Sequence, residues 1–325
     1  GLPPGSLGIF PDTWSDDRFY LKQAHQHGPI FKTSNFLRPT VCIVGLEKGI
    51  RILREHEERL ETPYLPFSRF VPGGMLRYMH ASQHRYYRSI FRRALASRNI
   101  RKVEPVLRRN IRHSLDSLSV ESSSSDSGVN PLPHLDHMML ELWFLLFFAI
   151  ERDSREWNRL LRLYPVIDIT NPTKASPIQI RTAVGSICEI VEGQRDNWPD
   201  PAPACLLGAI MTDNPEHAKD PVVIGNLVYM LSTTGADMSA LLCWIIKKAC
   251  DHPEWLERIA NEGSVESKTA MAERFVMETL RMRQSEFIYR AVVQDIDFDG
   301  FRVPRGWLLR VCVWESHRDP DVFTD

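Results

Sequence analysis

The chain has 325 residues, enough for one large domain or two of ordinary size. Its 40 Lys and Arg residues balance 41 Asp and Glu residues, giving a formal net charge of −1. This balance argues against a nucleic-acid-binding protein, which needs a basic face to displace counterions. With 43% hydrophobic and 25% charged residues, the chain is neither disordered, nor collagen-like, nor a small disulfide-stapled scaffold.

The cysteines form neither CxxC pairs nor zinc-type spacings with histidine, so we expect reduced, mostly buried thiols in an intracellular protein. They are Cys42, Cys188, Cys205, Cys243, Cys250 and Cys312. The longest apolar run, 142–150, is shorter than the roughly 20 residues that a transmembrane helix needs. The chain has no secretory signal and opens at Gly1. We therefore expect a protein that is soluble, or held at a membrane through an upstream segment that has been removed.

The first half of the chain predicts a short hairpin followed by helices. The β-rich runs Ile30–Thr33 and Val41–Val44 predict the hairpin, joined through Asn35 and Pro39. From Leu46 the apolar period becomes helical, and the pattern stays helical to about residue 280. Segment 117–133 is rich in serine and predicts a flexible surface loop. Two further helices are predicted at 137–151, which is apolar nearly all round, and near 177–196.

The longest predicted element is a helix from Pro221 to Cys250, with Asp220 as its cap. The residues at its two ends are strongly apolar, but most residues of its middle segment, 232–239, are small and polar. Unpaired polar groups in a buried helix cost roughly 1–3 kcal/mol each, so this segment indicates a functional role. The alternative is a tolerated kink at Gly235, with Asp237 facing solvent.

After Arg283 the apolar period changes to two, which predicts strands at Phe287–Val293, Ile296–Val303 and Trp307–Val313. Asp299-Gly300 predicts a two-residue hairpin turn, and 304–306 predicts a second turn.

Two charged clusters have an ordinary interpretation when each is taken alone. Glu278 and Arg281 share one face of a helix expected to begin near Met271, where an exposed ion pair contributes well under about 1 kcal/mol. Segment 85–112 has ten Lys or Arg residues and one acid, Glu104, and is typical of a solvated helix face. It lacks the aromatic platform expected of a single-strand nucleic-acid site.

Taken in order, these motifs resemble those of the cytochromes P450, the heme-thiolate monooxygenases. They are Pro3-Pro4-Gly5, His84 to Arg88, Thr234 to Asp237, Glu278-Thr279-Leu280-Arg281, Arg290 and His317-Arg318-Asp319-Pro320. The resemblance covers the whole chain and implies a mainly α fold with a small β part. We expect one P450-like domain over 1–325, incomplete at its C-terminus, with β-rich parts 1–45 and 287–313 and a helical part 46–283.

The resemblance also implies roles for individual residues. His84, Arg88 and Arg290 would bind the heme propionates, for which charge-assisted hydrogen bonds are well suited. Glu278 and Arg281 would form a buried structural pair on the proximal side of the heme.

On the opposite side of the heme, Gly235 and Asp237 would lie where oxygen and substrate enter. We assign catalytic roles to Thr234, Asp237 and Ser239. Segment 64–77 would shape the pocket for a small hydrophobic substrate. The expected pocket residues are Phe67, Phe70, Met75, Thr233, Gly235 and Met238. The basic surface 85–112 would bind an acidic electron-donor protein.

Two features depart from the family's pattern. Met238 stands where the family has a proton-relaying alcohol, and Ser239 lies about 100° further around the helix. The family's Cys ligand follows the segment that matches 317–320, and none of the six cysteines has that context, so no metal ligand is assigned in this chain. We expect heme binding only if that segment is supplied. Either the sequence is a piece of a longer protein, or the natural product is short and has lost heme.

Two other functions are compatible with the same scaffold. The first is a heme-free enzyme for cyclisation or isomerisation, with Asp237 as acid or base in apolar surroundings. The second is a non-catalytic protein that binds an apolar ligand.

Overall fold

A computed structural model of the chain describes residues 1–16, 18–63, 71, 74–79, 81–123, 129–167, 175–283, 288–319 and 322–323. The helices are α1 Asp12–Ser15, α2 Phe19–His27, α3 Leu46–Glu55, α4 Ala81–Ala94, α5 Ser97–Ser123, α6 Leu132–Phe148, α7 Arg155–Ile167, α8 Pro177–Asp196, α9 Leu206–Asp213, α10 Pro215–Lys219, α11 Pro221–Asp251, α12 Pro253–Asn261, α13 Val265–Arg283 and α14 Val313–Ser316. The strands are β1 Ile30–Asn35, β2 Arg38–Ile43, β3 Leu60–Glu61, β4 Ile288–Val292, β5 Ile296–Phe298, β6 Phe301–Val303 and β7 Leu308–Val311. No described helix is both long and apolar enough to cross a membrane.

The chain divides into two compact units, one formed by 1–64 with 244–325 and the other by 65–243. The first unit contains the strands, in a five-stranded sheet of order β1-β2-β7-β4-β3 and a separate β5–β6 hairpin. Strands β2 and β7 pair in parallel, whereas the other neighbours are antiparallel.

The predicted β1–β2 hairpin is confirmed, although its turn lies at Phe36-Leu37, between the paired residues Asn35 and Arg38. Both turn residues are left-handed, with φ of 52° and 59°, a conformation that is unfavourable for residues other than glycine. The Asp299-Gly300 turn is also confirmed and splits the predicted strand Ile296–Val303 into β5 and β6.

The second unit is helical, and its core forms where the apolar pattern is densest. Helix α6 buries eight residues on several sides, as expected of a helix that is apolar nearly all round. The N-terminal half of α11 buries a stripe at helical spacing, Val223, Leu227 and Leu231, each at most 1% exposed.

Three predicted boundaries are wrong. The Ser-rich segment 117–133 is not a continuous loop, because α5 runs to Ser123 and α6 begins at Leu132. The Ser117 hydroxyl donates to the His113 carbonyl at 2.8 Å, so serine is accommodated within the helix. Helix α13 begins at Val265 rather than near Met271, because the Ser264 side chain caps it by accepting from the Ser267 amide. The strand predicted to reach Val313 ends at Val311, where the chain turns into α14.

Candidate functional site

Helix α4 carries the two residues predicted to bind heme propionates. His84 and Arg88 are four residues apart and therefore lie on the same face, His84 half-buried and Arg88 exposed. Neither side chain has a hydrogen-bond or ion-pair partner among the described residues. A face with two adjacent, uncommitted nitrogen donors is suited to an acidic group.

Two tyrosines between those residues hold α4 in place. The Tyr87 hydroxyl donates to Asp220 at 2.8 Å, and Asp220 in turn accepts from the Val222 amide in the first turn of α11. The Tyr86 hydroxyl lies 2.9 Å from Nε2 of His217. Burial and the acceptor Asp220 raise the pKa of Tyr87 to about 12, which keeps its hydroxyl as the donor.

The polar segment of α11 satisfies most of its own hydroxyl groups. Ser232 donates to the Tyr229 carbonyl at 2.8 Å, and Thr234 donates to the Met230 carbonyl at 2.5 Å. Thr233 shares the same carbonyls at 3.1 and 3.3 Å. These bonds to the preceding turn explain how a buried helix accommodates the segment, and they commit the Thr234 proton to the backbone.

Position 235 of α11 requires glycine because the Tyr164 hydroxyl group packs directly against the helix backbone there. A Cβ built on Gly235 would lie 2.2 Å from the Tyr164 hydroxyl oxygen and 4.0 Å from Cδ1 of Trp143. No side chain fits in that space without displacing Tyr164. Helix α11 runs without a break through this position, and Asp237 is exposed, as the alternative interpretation of this segment expected.

Asp237 is exposed, whereas Met238 and Ser239 are half-buried. The expectation that Asp237 lies in apolar surroundings is therefore wrong, whereas its role as an acid or base remains a prediction. The Ser239 hydroxyl has no hydrogen-bond partner within the described part of the chain. It is the hydroxyl of this segment that remains available to a ligand.

Of the predicted pocket residues, Phe67 and Phe70 lie outside the described residues. Met75 is 3% exposed and packs in the core, so its role in a substrate pocket remains a prediction. Its segment is fastened to α11 by Asn226, which accepts from the Leu76 amide at 2.7 Å and donates to the Gly74 carbonyl at 2.9 Å. Sequence reasoning missed Asn226, although an amide inside a buried apolar stripe is a recognisable signal.

In the unit that contains the sheet, the predicted pair of Glu278 and Arg281 forms with two hydrogen bonds, at 2.8 and 2.5 Å. Arg281 also donates to the main-chain carbonyl of His317 and lies over the Phe323 ring, 4.5 Å from its centroid. The Arg281 hydrogen bond lowers the pKa of Glu278. The prediction of a buried pair is wrong for Glu278, whose side chain is 60% exposed because no described element covers its outer side.

Arg290 lies in β4 opposite Leu309 and is half-buried, donating to the Tyr289 carbonyl at 2.8 Å. Because it belongs to the other unit, its role toward heme remains a prediction.

The same unit contains a buried ion pair that the sequence pattern did not reveal. Arg310 pairs with Glu315 at 2.8 Å, and their side chains are 7% and 3% exposed. Burial raises the pKa of Glu315, and neighbouring Arg310 opposes that rise.

The cysteines do not provide an evident iron ligand. Burial raises the pKa of Cys188 and of Cys205 to about 12, and it also raises the pKa of Cys243 and Cys312. Burial favours the neutral thiol at each of these four positions. The described residues contain no group of three or more His, Cys, Asp or Glu side chains that would hold a metal. The α4 face thus fits the carboxylates of heme, and no cysteine of this chain is assigned to its iron.

Segment 85–112 belongs to α4 and α5, and its described Lys and Arg residues are exposed, including Arg85, Arg88, Arg92 and Arg93 on α4. Some of its charge is neutralised locally, since Arg93 pairs with Asp213 at 2.8 Å and Arg108 pairs with Glu104 at 2.8 Å.

Comparison with known proteins agrees with this fold and its motifs. The family model of cytochrome P450 matches residues 226–325, which include the polar segment of α11 and the Glu278–Arg281 pair. A cyanobacterial cytochrome P450 bound to retinoic acid superposes with a TM-score of 0.78, at 20% identity, over 100% of this chain and 79% of the other. A zebrafish cytochrome P450 with progesterone gives 0.74 at 15% identity, over 98% of this chain and 82% of the other.

Together, these similarities support a cytochrome P450 family member. Among curated P450 relatives, abscisic acid 8'-hydroxylase 3 of rice is 24% identical over the whole chain, which covers 71% of its length. An abscisic acid 8'-hydroxylase of tomato is 23% identical, again over the whole chain and 75% of its own length. The likeness to solved P450 structures confirms the predicted fold class, and the similar hydroxylases support the monooxygenase class. The cytochrome P450 family as a whole implies a heme cofactor.

Proposed function

We propose that the protein is a heme monooxygenase that hydroxylates a small hydrophobic molecule. The observation that carries the proposal is the face of α4, where His84 and Arg88 present uncommitted nitrogen donors at the position that matches the propionate-binding motif of the family. The match to hydroxylases over the whole chain supports the same reaction class.

In this proposal His84 and Arg88 bind the heme carboxylates. Bound heme supplies the activation of dioxygen, and the balanced reaction is R–H + O₂ + 2 e⁻ + 2 H⁺ → R–OH + H₂O. The protein's own task is to hold the substrate, exclude bulk water and deliver protons.

In this proposal, a side chain of α11 delivers the protons. Thr234 has committed its proton to the Met230 carbonyl, and Met238 carries no transferable proton. Ser239 Oγ is the uncommitted hydroxyl of the segment, and the carboxylate of Asp237, exposed to solvent, is suited to exchange protons with water. We therefore assign proton delivery within the site to Ser239.

The substrate is expected to be small and apolar, and two compounds are the natural first choices. Abscisic acid is the substrate named for the curated relatives, and retinoic acid occupies the cyanobacterial neighbour. The electrons would come from an acidic donor protein bound to the basic surface 85–112, and raising the ionic strength should weaken that association.

The test is turnover by the purified native protein under ¹⁸O₂, with abscisic acid, retinoic acid and a panel of apolar compounds. We expect a product that carries one ¹⁸O atom. Ser239→Ala should lower product per O₂ consumed and raise hydrogen peroxide release, whereas Thr269→Ala, which removes a helical hydroxyl on α13, should leave both unchanged. Oxygen-independent product, or product without label, would overturn the proposal.

A further inference from the structure

A buried amide side chain on α11 holds the backbone of a segment that is distant in sequence. Asn226 is 1% exposed and lies among the buried apolar residues of the helix's N-terminal half. Its Nδ2 group donates to the carbonyls of Val222 and Gly74 at 2.8 and 2.9 Å, and its Oδ1 atom accepts from the Leu76 amide at 2.7 Å. A flipped amide would place donor against donor and acceptor against acceptor, so these contacts fix one orientation.

The segment 74–79 depends on this side chain because its own backbone provides little support. The 3-10 turn Leu76–Tyr78 has no side-chain cap of its own. The Leu76 amide opens that turn and has no acceptor within it, so Asn226 caps the turn from another helix. Gly74 precedes the turn with φ of 99°, a conformation that glycine adopts without strain. The position of the segment is therefore set largely by Asn226.

The segment lies against one face of α11. Asn226, Tyr229, Thr233 and Asp237 follow one another at spacings of three or four residues and therefore share this face. Tyr229 also meets the segment, because burial raises the pKa of Tyr229 and the nearby Arg77 guanidinium opposes that rise. The face that carries Asn226 is thus the one that continues into the polar middle of the helix.

We propose that Asn226 is a positioning residue that sets the substrate specificity of the monooxygenase, an inference that rests on the proposed function. By holding segment 74–79, Asn226 fixes the separation of two expected pocket residues, Met75 on the segment and Thr233 on α11. A segment without this support would leave a less defined pocket, so a substrate would bind more weakly and in more than one orientation. Asn226 itself takes no part in the chemistry, because its polar atoms are bonded to the backbone.

The first measurement is hydrogen exchange of the purified native protein, which needs neither heme nor turnover. Asn226→Leu has a similar volume but removes the three hydrogen bonds, so a peptide containing Leu76 should exchange about tenfold faster or more, while peptides of α6 and α8 stay protected. Ser232→Ala is the matched control, because it removes a buried hydroxyl of α11 whose hydrogen bond stays within the helix. It should leave the exchange of that peptide unchanged.

The second measurement is kinetics with the compound of the ¹⁸O₂ panel that the native protein hydroxylates fastest. Asn226→Leu should raise KM by about tenfold or more and give a mixture of products, with kcat lowered less than about threefold. Gly74→Ala should change both in the same direction through the backbone alone, because no described atom lies within 4 Å of the added Cβ. Ser232→Ala should leave KM and the product ratio unchanged.

The two measurements separate failure of this inference from failure of the proposed function. Unchanged exchange in Asn226→Leu, or faster exchange with unchanged KM and products, would overturn the inference. Oxidation of no compound by the native protein would overturn the proposed function and the specificity role with it, while the exchange rates would still report whether Asn226 holds the segment. If its melting curve shows that Asn226→Leu does not fold, Asn226→Ala and Gly74→Ala replace it in both measurements.

Discussion

The Tyr164 hydroxyl of α7 lies against the backbone of Gly235 in α11, where an added methyl group would be 2.2 Å from the oxygen. In an isolated helix, Gly235→Ala would gain about 1 kcal/mol. Here we expect a net loss of about 1–2 kcal/mol in the free energy of unfolding, because Tyr164 must move.

A second substitution, Tyr164→Phe, removes the hydroxyl group that the added methyl group would contact. Combining Gly235→Ala with Tyr164→Phe should recover most of the loss, as measured by chemical denaturation of the single and double variants. A single variant as stable as the wild type would show that the close approach is not retained in solution.

The left-handed turn Phe36-Leu37 predicts a stabilising substitution. Leu37 is 84% exposed and has φ of 59°, so Leu37→Gly relieves about 1–2 kcal/mol of strain at an entropic cost of about 0.5–1 kcal/mol. We expect a net gain of about 0.5–1 kcal/mol in thermal or chemical unfolding. Leu37→Ala, which removes the same side chain without easing the backbone, should give no such gain.

The buried pair of Arg310 and Glu315 predicts strong non-additivity. Arg310→Met leaves the Glu315 carboxylate buried without its ion-pair partner, at an expected cost of about 3–5 kcal/mol. Arg310→Met with Glu315→Leu should recover most of that stability, because two apolar side chains then replace the pair. Denaturation of both variants checks this, and additive losses would contradict it.

The depressed pKa of Glu278 predicts a pH dependence. Because its pKa is lower in the folded protein than its unfolded value of about 4.3, the pair with Arg281 stabilises above that value. The contribution is lost as the pH falls through the folded pKa. Since Glu278 is well exposed, we expect wild type and Glu278→Gln to differ by less than about 1 kcal/mol near neutral pH and to converge in acid. Unfolding curves across this range are the measurement.

The α4 face predicts which arginine retains heme. In the native protein Arg88→Ala should lower the heme-to-protein ratio, which is measured by the pyridine hemochrome assay and does not depend on activity. Arg181→Ala, on the surface of α8, should leave the ratio unchanged. Equal heme content in all three proteins would remove Arg88 from the proposed site.

Local signals in the sequence were sufficient for much of the fold. Asp220, Pro221 and the apolar period placed α11 within one residue of its observed end, since caps and periodicity act locally. The spacing of Glu278 and Arg281 predicted their pairing for the same reason. The Ser-rich end of α5 was missed because serine only weakly disfavours a helix and its hydroxyl can bond within it.

Contacts between distant residues could not be predicted in this way. Neither the His317 carbonyl that Arg281 binds nor the Tyr164 hydroxyl against Gly235 leaves any trace in local spacing. The exposure of Asp237 is likewise set by what surrounds α11 in three dimensions rather than by its neighbours in sequence.

The central claim is that the chain forms a heme-thiolate monooxygenase when the segment with the family's Cys ligand is supplied, and one spectrum tests it most directly. The protein that carries this segment is reduced with dithionite and treated with carbon monoxide, and its difference spectrum is recorded. We expect the red-shifted Soret band of a thiolate-ligated heme, in near-stoichiometric amount. A protein that is folded, reconstituted with excess hemin and still free of that band would contradict the account.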